Sequence, residues 1–468
     1  MRTKHVQSLM AVALLCGLGF GSANLFAQRV PVGPPVSVRS QNPTLPSGAV
    51  PLPPVPPSPG LPIGLSYDGI DFLGSNCSCL PPDTSAAVGN NFVIETVNLE
   101  IRIFDKTTAN ILLDAPLAQF FGAAFGGQPY VVYDDIANRW YISGLDSSDT
   151  GFLLAVSRDS NPLDGFDVFD LTNVVGGFAD YQKPGYNRDA IFISFNNFKR
   201  GGNAAATIVS IDKAQLLSGT LTYYVSTPAF QFRAMPPAQM HGDTTGGVEW
   251  FVSTDGTDVK GTTIRVTKMA NYLSNSPNFT YTSLPVSRYQ KASTADQPVG
   301  PGTVTVFPNT TTTQVHFRNG DLLTAMASAA AADGFVYPKG RFYHIKTSPN
   351  VALFSEGLID PGPGVAVQMP TVDMDSKGHL GLTWMESSTT EFLSMWVGSA
   401  VSGGTRIDSS AVAAPGGGFF YYGSRIGDYS TTMVDPSDGV TFWSANEYIG
   451  SDGLSDIWRT HITSFTAQ

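Results

Sequence analysis

The sequence predicts an all-β fold: a single β-propeller, with seven blades the favoured count in a range of six to eight. Three observations predict it. The 468 residues include 48 Gly and 33 Pro but are only 14% charged, well under the usual quarter, which suits short strands joined by tight turns. One local pattern, a turn of Asp, Asn or Gly followed by an aromatic or aliphatic run, recurs seven times after residue 64. No second linker interrupts residues 64–468, so the repeats read as one body rather than two separate β-sandwiches.

The elements follow in chain order. Arg2 and Lys4 precede the apolar run Leu9–Gly21, and Ala27 offers a small residue before a cut, the layout of an export signal. Residues 1–27 are therefore expected to be a signal peptide; the alternative, a retained anchor helix, meets a run that is short for a span. Residues 28–63 form a proline-dense linker without an apolar face, expected to be extended and semi-rigid. No later apolar run reaches the roughly 18 residues of a membrane span. The expected location is secreted, periplasmic or cell-surface.

Residues 64–468 form the expected propeller domain. The recurring pattern places strands at Phe92–Val97, Arg139–Ser143, Ala190–Phe195, Val248–Ser253, Asp321–Ala327, His379–Met385 and Val440–Ala445. They stand roughly 50–70 residues apart, enough for four strands and their loops per repeat. A second strand follows each, from "LEIRIFDK" to "DIWRTHITSF". One four-stranded sheet cannot bury both faces, whereas a ring lets each cover the next. The first strand or the last is expected to complete a mixed blade. Asp212–Gly219 reads as one or two helical turns ended by Gly219, and "ASAAAADG" as a loop.

Cys77 and Cys79 flank one residue. A bridge there is constrained, because bridged Cα atoms prefer about 5.5 Å, and a two-Cys metal site lacks further ligands. The expectation is a local turn constraint or two free thiols.

Four segments carry a resemblance: "PPDTSAAVGNNFVIETVNLEIRIFDK", "VVYDDIANRWYISG", "DYQKPGYNRDAIFISFNNF" and "RIGDYSTTMVDPSDGVTFWSANEY". In this order the chain resembles secreted bacterial β-propeller proteins with sialidase-like (BNR-like) repeats and no assigned activity. The resemblance spans Ser66 to Phe465 and implies a propeller without implying a reaction. Ser85, Asn91 and Phe342 depart from its pattern.

The last segment holds the candidate catalytic residues Arg425, Asp428, Tyr429 and Glu447. A sialidase-like glycoside hydrolase needs a tyrosine nucleophile with an acidic partner and an arginine cluster for the substrate carboxylate. Arg102, Arg139, Arg188, Arg265 and Arg318 would have to converge on Arg425 to supply it. The same stretch also reads structurally. Asp435 and Asp438 would accept backbone N–H groups at a turn, Trp443 would pack between blades, Arg425 would pair with Asp428, and Glu447 would end the strand.

Other chemistries find less. "DMDSKG" (Asp373, Asp375, Gly378) opens like a calcium loop, but Lys377 stands at a ligand position and Trp384 at the twelfth; a turn is expected. His241, His316, His344, His379 and His461 form no H-E-x-x-H, and there is no G-x-S-x-G. No metal site or cofactor is expected; an isolated calcium on another propeller loop is the alternative left open, without a supporting motif. Phe419, Phe420, Tyr421 and Tyr422 read as a strand packed on both faces rather than an exposed aromatic platform. A net charge of −11 disfavours nucleic acid. The functional expectation is an exported binding or scaffold module with an unknown extracellular ligand, a glycan or a protein; a sialidase-like glycoside hydrolase is the alternative.

Overall fold

The computed structural model describes residues 60–467, apart from 78, 123–124, 199–204, 230–233, 255–259, 293, 299–303, 306–309, 332–333, 335, 421–424 and 452–455. The expected signal peptide and nearly all of the expected linker lie outside the described residues. β1 begins at Ile63, within the last residue of that linker, and Leu61 before it is already buried.

The fold is an all-β propeller whose strands group in fours. β1 (Ile63–Asp71) waits for the end of the chain. β2 (Ser85–Val88), β3 (Phe92–Val97), β4 (Glu100–Asp105) and β5 (Ile111–Pro116) form the first meander. β6 (Phe125–Asp134), β7 (Arg139–Asp146), β8 (Phe152–Ser157) and β9 (Phe166–Leu171) form the next. β10 (Phe178–Tyr186), β11 (Ala190–Phe198), β12 (Ala205–Asp212) and β13 (Tyr223–Ser226) follow. β14 (Ala238–His241) is succeeded by β15 (Val248–Thr254), β16 (Lys260–Ala270) and β17 (Asn278–Gln290); Pro237 bridges to Phe251 at its edge. The short pair β18 (Thr294–Ala295) and β19 (Val304–Thr305) lies in the connection onward. β20 (Val315–Arg318), β21 (Asp321–Ala329), β22 (Pro338–Lys346) and β23 (Ala352–Ile359) come next. β24 (Ala366–Met374), β25 (Leu380–Ser388), β26 (Glu391–Ala400) and β27 (Ser409–Ala414) form another meander. β28 (Thr431–Val434), β29 (Thr441–Ser451) and β30 (Asp456–Thr466) take β1 as their fourth strand.

The first strand of each group lies innermost. β14 pairs in parallel with β10 on one side and with β20 on the other. Each of β2, β6, β10, β14, β20, β24 and β28 touches the next, and β28 touches β2. The ring is closed by β1 and β30, antiparallel from Ile63 opposite Phe465 to Asp71 opposite Arg459. Trp458, fully buried on β30, donates its indole N–H to the Cys79 carbonyl at 2.9 Å and meets Phe72 edge-on. Cys77 and Cys79 are joined, with Cα atoms 5.2 Å apart; the pair is a disulfide rather than two thiols.

The core lies between successive groups. Ile94, Ile103, Trp140, Ile142 and Trp443 share one cluster, and Tyr141, Leu154, Ile191 and Ile193 the next. Burial on both faces explains why the middle strands are runs of apolar residues rather than alternating ones. Seven non-glycine residues adopt a left-handed backbone at corresponding places, just ahead of an inner strand or in its first residues: Asp83, Gln128, Tyr181, Ala234, Thr310, Met369 and Asp428, with φ from 43° to 71°. In β6, β10 and β24 this residue sits at a register shift. Such bulges re-aim side chains.

Local expectations fare unevenly. A short helix α1 (Leu117–Phe121) follows β5, and α2 (Lys213–Leu217) is capped by Asp212 and followed by Gly219 at φ +86. β21 continues through Ala329, so the start of "ASAAAADG" is strand, not loop: its small side chains fit a buried sheet. No helix among the described residues is long and apolar enough to cross a membrane.

Candidate functional site

The inner strands run in parallel, so their first residues meet at one end of the axis and their last at the other. The left-handed residues gather at the first end. Asp83, Asp180 and Asp428 come together there with Lys183 and Arg425. Arg425 donates to Asp428 Oδ2 at 2.6 Å. Lys183 is buried with its Nζ 4.0 Å from the ring centroids of both Tyr181 and Tyr429, near enough for cation–π attraction. Gln128 ties the set together. Its Nε2 donates to Asp180 at 3.0 Å, and its Oε1 accepts from the Tyr181 N–H at 2.8 Å and the Tyr429 hydroxyl at 3.1 Å.

Burial dominates the electrostatics. It pushes Asp83 well above the usual carboxylate range, with the charge of Asp428 adding to it, and raises Asp180 to about 6. Burial also lowers Lys183 to about 7 against the pull of Asp428, Asp83 and Asp180. Three carboxyls thus share two cations and a reduced number of charges, which is how buried ionisable groups avoid the cost of isolation.

The four candidate residues part company here. Arg425, Asp428 and Tyr429 belong to this cluster. Glu447 lies mid-strand in β29 rather than ending it, and its Oε2 accepts the Gly427 N–H at 2.7 Å. Burial raises its carboxyl to about 8. Tyr429 and Glu447 therefore serve different partners and do not form a nucleophile–carboxylate couple. Arg102 bonds the Gly69 carbonyl and Asp114, Arg139 bonds the Ala137 and Asn138 carbonyls, Arg188 bonds that of Thr244, Arg265 bonds Ser283, and Arg318 bonds that of Met374. These five arginines are engaged with other partners, so the convergence on Arg425 that the hydrolase alternative would require is not found among them.

Apart from Glu447, the structural readings of the last segment hold. Asp435 accepts the Ser437 N–H and the Trp443 indole N–H, and Asp438 accepts the N–H groups of Val440 and Thr441. Asp375 accepts the N–H groups of Lys377 and His379, so "DMDSKG" is a turn. Phe419 and Phe420 are buried, but in a loop rather than a strand; Tyr421 and Tyr422 lie outside the described residues.

The opposite end of the axis holds groups that sequence reasoning missed. His241 ends β14, His316 lies on β20 and Asp373 on β24. All three are buried, with one ligating atom each within 4.8 Å of the others. Asp135, just past β6, accepts the Tyr186 hydroxyl at 3.0 Å and faces His241. Burial disfavours the His241 cation, but Asp373 and Asp135 outweigh it and raise the group to about 9; burial lowers His316 to about 4. His344, His379 and His461 instead pair locally with Asp321, Asp375 and Asp68. A cavity of about 340 Å³ opens beside His241, lined by Met240, Asp243, Trp250, Phe317 and Asn319 among others. The only signal for this end was three polar residues on inner strands, without a linear spacing.

No protein-family model matches the chain, and no curated protein does. Among solved structures, it is similar to a polysaccharide lyase of family PL25, an ulvan lyase bound to -[GlcA(1-4)Rha3S]-, at 10% identity and TM-score 0.38, covering 86% of this chain and 93% of the lyase. It is similar to a subtype N10 neuraminidase-like protein of A/little yellow-shouldered bat/Guatemala/060/2010 at 8% identity and TM-score 0.37, covering 70% and 96%. It is similar to the WD40 domain of SCAP from fission yeast at 9% identity and TM-score 0.32, covering 87% and 97%. At these scores the likenesses carry no argument about activity.

Proposed function

We propose that the chain is an exported, seven-bladed β-propeller that binds or scaffolds an extracellular glycan or protein. Export through residues 1–27 and tethering by residues 28–63 belong to the same reading, as does the relation to secreted sialidase-like repeat proteins. The ligand sits on the face where the inner strands end. The observation that supports this best is the engagement of Arg425, Asp428 and Tyr429 with one another's cluster, while Arg102, Arg139, Arg188, Arg265 and Arg318 have other partners. A hydrolase of the sialidase kind needs those groups turned toward substrate. A recess between neighbouring blades, with Trp250, Phe317 and Asn319 in its wall, suits recognition by a few polar groups against apolar ones.

A glycan array, read beside a glycosidase substrate panel on the purified protein, tests this. Binding without turnover is expected, weakened at least tenfold by Thr244→Trp, which fills the recess from an exposed wall position, with no change in melting temperature. Glycoside turnover abolished by Tyr429→Phe would overturn the reading in favour of a hydrolase.

A further inference from the structure

Three successive inner strands each send one potential ligand to the axis. His241 Nε2 stands 2.9 Å from His316 Nδ1 and 3.4 Å from Asp373 Oδ2. His316 Nδ1 stands 3.6 Å from Asp373 Oδ1. Zinc bonds nitrogen and oxygen at about 2.0–2.2 Å in tetrahedral geometry, so two donors of one ion lie about 3.3 Å apart. The separations, two of them to different oxygens of the one Asp373 carboxylate, bracket that distance.

The surroundings hold these donors as a metal site's outer groups do. Asp373 Oδ1 accepts the Met374 N–H at 2.7 Å and Oδ2 accepts the Val434 N–H at 2.9 Å, fixing the carboxylate. His241 turns its other nitrogen, Nδ1, toward the Tyr186 hydroxyl at 3.3 Å and Asp135 Oδ2 at 3.6 Å. A carboxylate behind a ligating imidazole sets its tautomer and strengthens it as a donor. His316 Nε2 lies near the Thr432 backbone without a well-formed hydrogen bond. Arg318 is the neighbouring fixed cation; its Nε donates to the Met374 carbonyl. Two imidazoles with one carboxylate suit zinc and its transition-metal neighbours, whereas calcium and magnesium take all-oxygen sets.

We propose that His241 Nε2, His316 Nδ1 and the Asp373 carboxylate bind one divalent transition-metal ion of the zinc class, with Asp135 orienting His241. The ion is reached through the recesses that His241 lines on the ligand-binding face. It clamps three neighbouring blades together at the axis.

Metal analysis of the purified chain after incubation with Zn²⁺ and desalting, together with titration by Co²⁺ followed in the visible spectrum, tests the site. One equivalent per chain and the absorption of tetrahedral Co²⁺ are expected. His241→Ala and His316→Ala each abolish the band, Asp135→Asn weakens binding by about 10–100-fold, and His461→Ala leaves it unchanged. Under a tenth of an equivalent in the unaltered chain would overturn the proposal, and that measurement needs no variant to fold. A full equivalent retained in the folded His241→Ala/His316→Ala double variant would overturn it as well.

Discussion

Glu447 offers a sharp test because its environment makes a quantitative demand. Its carboxyl is fully buried, accepts one N–H from Gly427 through Oε2, and leaves Oε1 without a partner. Burial, with a smaller push from Asp428, moves it from 4.5 to about 8. The folded chain therefore keeps a proton that the unfolded chain releases. Stability from that proton is fully present below about 4.5 and is lost as pH climbs to about 8. At about 1.4 kcal/mol per pH decade the loss comes to roughly 5 kcal/mol across that window. Glu447→Gln keeps the shape and the acceptor for Gly427 but has nothing to titrate. Urea unfolding of both proteins at pH 5, 7 and 9 measures the difference, in which Glu95, Glu386 and other raised carboxyls cancel. The variant is expected to gain on the native chain by several kcal/mol between pH 5 and pH 9. A gap that stays constant over that range would mean that Glu447 is ionised when folded, and the argument from burial would fail.

Two other perturbations follow from the same geometry. Lys183→Met removes the cation between the Tyr181 and Tyr429 rings and leaves Asp83, Asp180 and Asp428 facing Arg425 alone; a loss of about 3 kcal/mol is expected, read from urea midpoints at pH 7, and an unchanged midpoint would show that the cluster does not use the lysine charge. Trp458→Ala deletes the side chain that joins β30 to Cys79 and Phe72, costing about 3–5 kcal/mol; limited proteolysis should then cut first near β1, and a first cut in the middle of the chain would count against closure at that seam.

The middle of each sheet was legible and its two margins were not. The stretch expected at Phe92–Val97 is β3 residue for residue, and those expected from Arg139, Ala190, Val248 and Asp321 start where β7, β11, β15 and β21 start. All are buried on both faces, so their apolar runs announce them. Inner strands such as β10, with "YQKPGY", or β20, preceded by "TTTTQ", carry Pro, Gly, Thr and Lys. They face an axis where polar groups find partners, so no periodicity marks them. The left-handed residues at their heads include Met369, Thr310 and Tyr181, types that give no hint of such a backbone. Asp83, Asp180 and Asp428 each lay in a segment that carried the resemblance, yet only the closing of the ring makes them neighbours. His241, His316 and Asp373 come from three sheets, and no spacing rule reaches that far.

Joining β1 to β30 has a kinetic implication. A chain emerging from its N-terminus delivers Ile63–Asp71 first, and the partner of that segment is the eleven-residue strand Asp456–Thr466. Until those last residues arrive, the opening segment is an unpaired edge and the flank of the β2–β5 sheet has nothing to cover it. Contacts of such long sequence separation form slowly, so a growing chain stays open at this seam until Asp456–Thr466 has been made.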